Sequence, residues 1–202
     1  MSPPDAPRTK PAASPCTRCA AQLGRSCCEV GEGESLATLT LADVERIQAA
    51  TYRGRESFVE EEAFEETQTR AYEQLRPGWR GYFRARPVRL TLARAHGACV
   101  FFQPQRGCTL SPDVRPTACL LYPFEPGLPG TWTLAVEREG SVDAARASGE
   151  PRCLAAEEAD GRGPLLRAFG LSDASLQSLT ERLRAEVRAH GEGDASSGRP
   201  PA

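Results

Sequence analysis

The chain reads as a mainly α-helical fold with a few short strands, in the α+β class. Three observations predict it. Apolar residues recur at helical spacing in three stretches, strict alternation is confined to short runs, and eight cysteines fall largely in two clusters at the loop-rich centre. A length of 202 residues sets the expectation of a single domain, placed at residues 16–190 between two tails.

Residues 1–15 and 191–202 are rich in Pro, Gly, Ser and Ala, with too few large apolar groups to offset ordering entropy, and both read as disordered tails. Thr40 followed by Asp43 has the spacing of a capping box, and Leu41, Val44 and Ile47 continue at helical spacing, which predicts a helix over 41–50. Ser57 with Glu60 gives a second start signal. It leads into Phe58, Val59, Phe64, Tyr72 and Leu75, a helix expected to stop before Pro77-Gly78. Val88, Leu90 and Leu92 alternate with Arg89 and Thr91, the period of a half-buried strand. Residues 99–102, 108–110 and 131–136 are shorter extended candidates bounded by Gly and Pro turns. Leu176, Leu179, Leu183 and Val187 form one stripe, so 173–190 reads as an amphipathic helix with a core-packing face.

Charge excludes some functions. Lys and Arg number 25 against 27 Asp and Glu, a net charge of -2, so the whole chain does not attract nucleic acid or anionic lipid. All but Lys10 of those basic residues are arginine, a skew of the kind nucleotide composition produces. The arginine-rich stretch 70–115 and the acidic run Glu60, Glu61, Glu62, Glu65 and Glu66 before it therefore read as solvated surface, the acidic run on a helix face, and nucleic acid is not an expected partner. No apolar run approaches a membrane span, and the N-terminus lacks the apolar segment of an export signal; a cytoplasmic location is the expectation. No G-x-S-x-G elbow, Walker loop or dinucleotide glycine fingerprint is present.

In a reducing compartment, clustered cysteines more often hold metal than form disulfides. The first cluster is CTRCAAQLGRSCC, with Cys16, Cys19, Cys27 and Cys28; the second holds Cys99, Cys108 and Cys119, and Cys153 follows alone. A C-x2-C pair lets two thiolates from one tight turn converge on a single ion. Adjacent residues such as Cys27 and Cys28 point apart, which favours two sites or one polynuclear cluster. The plain alternative, buried cysteines acting as small hydrophobes, suits Cys99 beside Val100-Phe101-Phe102 and does not suit Cys16 and Cys19 among polar residues. The fold is thus expected to be a small cysteine-rich metal-binding domain. All-sulfur ligation selects zinc or an iron–sulfur cluster. Of the two histidines, His96 reads as a loop residue with ligation as the alternative, and His190 as a helix C-terminal residue favoured by the dipole. Arg115, between Cys108 and Cys119, is a candidate to offset the charge of a thiolate-ligated cofactor, with a surface arginine before a proline turn as the alternative.

The combination of CTRCAAQLGRSCC, the helix start LTLADVERI, and CVFF with GCTLSPDVRPTACLLYPF resembles the YkgJ-type cysteine cluster family, described as zinc- or iron-chelating proteins. The resemblance spans residues 14–155. It implies Cys16, Cys19, Cys27, Cys28, Cys99, Cys108 and Cys119 as ligands, with Arg115-Pro116 and Tyr122-Pro123-Phe124 as signature neighbours. The seven residues between Cys19 and Cys27, and Ser111-Pro112-Asp113 before Arg115-Pro116, depart from the family pattern. Flagellin lysine methylases look similar in their cysteine cluster, which the resemblance links to an iron–sulfur centre.

The expectation is a metal-binding protein holding zinc or an iron–sulfur cluster, in electron transfer or metal handling. The alternatives are an iron–sulfur enzyme, in redox or protein-lysine-methylation-like chemistry, and a zinc-stabilised partner-binding module. Metal ions are the one partner class the residues specify.

Overall fold

The computed structural model describes residues 28–29, 36–104, 106–128, 130–134 and 159–193. Five α-helices are present among them: α1 (Leu41–Thr51), α2 (Glu66–Leu75), α3 (Thr117–Leu121), α4 (Arg162–Ala168) and α5 (Asp173–Gly193). Eight strands pair as four antiparallel ribbons: β1 (Val59–Ala63) with β2 (Val88–Leu92), β3 (Arg94–Ala95) with β4 (Ala98–Cys99), β5 (Phe102–Gln103) with β6 (Gly107–Cys108), and β7 (Phe124–Pro126) with β8 (Trp132–Leu134).

The mainly α, cysteine-rich metal domain expected from the sequence is therefore corrected. About 45% of the described residues are helical and 19% extended, an α+β fold, and no separate cysteine-rich metal domain is present among them. The physical reason is that the described cysteines join ordinary apolar packing and do not organise a unit of their own. The two tails lie largely outside the described residues, although α5 runs to Gly193, three residues past the expected boundary.

The α1 start is the one expected. Thr40 Oγ1 accepts the Asp43 N–H, and the Asp43 carboxylate accepts the Thr40 N–H, so two orphan donors are satisfied reciprocally. The second helix is not. Ser57 belongs to a 3-10 turn, residues 59–63 form β1, and α2 begins at Glu66 behind a capping box between Glu65 and Gln68. The strand wins because β2 offers it a partner: Val59 faces Leu92 and Ala63 faces Val88 in register. The expected stop before Pro77 holds. β2 is paired along both edges, since Leu39 N–H donates to Leu90 O at 2.8 Å and Leu92 N–H to Ala37 O at 3.1 Å on the side away from β1. Glu60, Glu61 and Glu62 of the acidic run are likewise corrected from a helix face to a strand whose carboxylates meet arginines, while Glu65 caps α2 and Glu66 opens it. Glu60 pairs with Arg94, Glu61 with Arg55 and Glu62 with Arg89.

The core has two halves. One gathers Leu36, Leu39, Val44, Ile47, Phe58 and Leu90 between α1 and β2; the other gathers Tyr82, Leu121, Phe124, Leu176, Leu183 and Val187 between α3, β7 and α5. The stripe on α5 faces the core as expected, each fully buried leucine contributing about 1.5–3 kcal/mol. Tyr82 joins the halves. Its hydroxyl donates to Leu39 O at 2.7 Å and accepts the Leu90 N–H at 3.0 Å, and its ring stacks on His190 at 4.0 Å. No helix among the described residues is long and apolar enough to cross a membrane.

Candidate functional site

Four of the eight cysteines are described, and they come from four separate segments onto the wall of one cavity of about 390 Å³ between the core halves. Cys28 and Cys99 sit opposite each other beside the antiparallel bridge of Glu29 with Ala98, the Cys99 N–H donating to Cys28 O at 2.7 Å. The β3–β4 hairpin that carries Cys99 turns through His96-Gly97. Both residues have positive φ (54° and 79°), the backbone a two-residue hairpin turn requires. His96 is exposed on that turn, which favours its reading as a loop residue. Cys108 closes β6 opposite Phe102 of β5.

Cys119 lies in α3, and the position of that five-residue helix is set by a buried polar clamp. Asp43 Oδ1 accepts the Thr117 N–H at 3.0 Å, and Glu186 of α5 accepts the Thr117 hydroxyl at 2.8 Å. Arg46 pairs with both carboxylates, and Arg182 donates to Glu186 at 2.9 Å. The Arg46 Nε is buried and has no hydrogen-bond partner among the described residues.

The thiols sense one another. Burial pushes the Cys99 thiol up to about 12; the backbone of Phe101 opposes this, and charge on Cys28 or Cys108 adds to it. Burial also raises Cys119 well above the usual thiol range, and charge on Cys28, Cys99, Cys108 or Asp43 raises it further. Cys119 keeps accessible surface because it lines the cavity. Cys99 and Cys119, raised mainly by burial and further by charge on their neighbours, stay protonated at neutral pH unless a cation reverses the balance. Among the described residues no disulfide links any of these four cysteines. No three Cys, His, Asp or Glu side chains among the described residues are gathered closely enough to hold a metal ion. Cys99 is buried, and the other three pack partly buried against its apolar cluster, as the small-hydrophobe alternative expects.

Cys16, Cys19, Cys27 and Cys153 lie outside the described residues. Arg115 lines the same cavity as the four cysteines, its Nε donating to Leu110 O at 3.0 Å. The site contains more than sequence reasoning found. Asp43 was legible only as a cap partner, Glu186 not at all, and His190 is a buried acceptor for the Leu41 N–H at 3.2 Å. No signal in the sequence links these distant positions. No protein-family model, curated protein or solved structure matches the chain.

Proposed function

We propose that the chain is a metal-binding protein in which Cys28, Cys99, Cys108 and Cys119 hold zinc or an iron–sulfur cluster through thiolate ligands, in electron transfer or metal handling. The observation that carries this reading is the convergence of four cysteines, from positions up to 91 residues apart in sequence (119 less 28), on one cavity. The donor chemistry suits the group, since all-sulfur ligands select zinc or iron–sulfur over hard cations; the four thiols, not close enough together here to share an ion, would draw in around it. A bound cation would also supply the positive charge that lets thiols so disfavoured from ionising become thiolates, with release of their protons. Arg115 on the same wall supports the reading, because a guanidinium offsets the net negative charge of a four-thiolate centre. The resemblance to the YkgJ-type cluster points the same way and adds Cys16, Cys19 and Cys27 as ligands, with Cys153 a further candidate outside the ligand set it implies.

Purification without oxygen followed by elemental and acid-labile sulfide analysis tests the proposal. Stoichiometric iron with sulfide, or stoichiometric zinc without it, is the expected result. A folded protein with neither metal rejects it.

A further inference from the structure

We infer that the cavity is also a binding site for a small organic monocarboxylic acid, its apolar body lying between the two core halves and its carboxylate meeting Arg115. The volume of about 390 Å³ falls in the range of pockets that enclose small organic molecules, about 300–1,000 Å³. Its walls are mostly apolar: Leu36, Leu92 and Phe101 come from one core half, and Tyr72, Leu121 and Phe124 from the other.

The charges in the lining decide the ligand class. Arg76, Arg89 and Arg115 line the cavity against a single carboxylate, Glu125. Arg76 is matched by Glu125 at 3.1 Å and Arg89 by Glu62. Arg115 has no carboxylate partner among the described residues; its Nε is held by Leu110 O, and its terminal nitrogens make no hydrogen bond there. A guanidinium in an apolar cavity is completed by an anion, and its planar fork matches a carboxylate. One unmatched cation and apolar walls suit a monoanion with a hydrocarbon body, whereas a phosphate dianion calls for further cations. This site does not depend on the sulfurs holding a metal; in a metal-loaded protein Arg115 would also face the thiolates, so the metal-free protein is expected to bind the acid more tightly.

Calorimetric titration of the protein as purified, its metal content recorded, with decanoate and with decanol tests the assignment. The expected result is one decanoate per chain, with decanol at least about tenfold weaker. Arg115→Gln weakens decanoate by about the same factor, while Arg115→Lys, which keeps the charge and loses the planar fork, falls between the two. Ala118→Trp, which fills the cavity without changing charge, abolishes binding of both. The inference is overturned if the folded wild type shows no saturable binding, if decanol binds as tightly as decanoate, or if Arg115→Gln binds like the wild type. A protein that is metal-free after purification without oxygen and still binds decanoate supports this inference and rejects the metal proposal, so the two failures are separable.

Discussion

Asp43 of α1 accepts the backbone N–H of Thr117, 74 positions away in sequence, at 3.0 Å. That bond fixes the start of the short helix carrying Cys119 to the start of the helix carrying Asp43. The carboxylate also accepts the Thr40 N–H and hydroxyl and pairs with Arg46, so its removal leaves several buried donors unmatched. Asp43→Ala is expected to cost about 3–5 kcal/mol in urea denaturation.

The same group sets a pH dependence. Burial is the main cause that raises Asp43 above its ordinary 3.8; the Thr40 N–H opposes, Glu186 adds, and the Thr117 N–H and Arg46 oppose. An acid whose native proton affinity is raised contributes stability that is complete below 3.8 and lost as pH rises through its native value. The wild type is therefore expected to lose stability relative to Asp43→Asn as pH climbs from about 4 toward neutrality. Denaturation midpoints of both proteins across that window check it, and a gap opening in the opposite sense contradicts it.

Tyr82→Phe removes a hydroxyl that donates to Leu39 O and accepts from Leu90 N–H while keeping the ring against His190. Leaving those two buried backbone groups unpaired is expected to cost about 1–3 kcal/mol, read by chemical denaturation. A change below measurement would show that water replaces the hydroxyl.

Leu183 is almost fully buried on α5 and borders the cavity, so Leu183→Ala enlarges a void that neighbours already fail to fill. A loss of about 2–5 kcal/mol is expected. Leu75→Ala, at an exposed position, is expected to change stability by less than about 0.5 kcal/mol in the same assay.

Glu61→Gln breaks an ion pair with Arg55 that is half in solvent, and the expected loss is under about 1 kcal/mol and smaller still in high salt. Thermal denaturation at two salt concentrations measures both.

Local signals were readable where the responsible groups lie close in sequence. The Thr40–Asp43 box and the alternation of Val88, Leu90 and Leu92 each satisfy nearby backbone or expose one face, and both elements formed as expected. The Ser57–Glu60 signal misled because a capping pattern only competes for a helix, and Val59 gains more from pairing with Leu92. Helix α3 spans five residues, too few for a periodicity to emerge, and its place is fixed by Asp43 and Glu186 from distant elements. At the site, the clustering of Cys99, Cys108 and Cys119 was visible as spacing. That Cys28 shares their cavity depends on an antiparallel bridge between residues 29 and 98, which no local pattern encodes.

The most direct measurement is X-ray absorption at the edge of whichever metal accompanies the protein purified without oxygen, on the wild type and on Cys119→Ser. The expected wild-type spectrum has a first shell of sulfur, at about 2.3 Å if the metal is zinc, and the substitution lowers the sulfur count or the metal content. A first shell of nitrogen and oxygen, or a Cys119→Ser spectrum and metal content identical to the wild type, contradicts a centre held by these four cysteines.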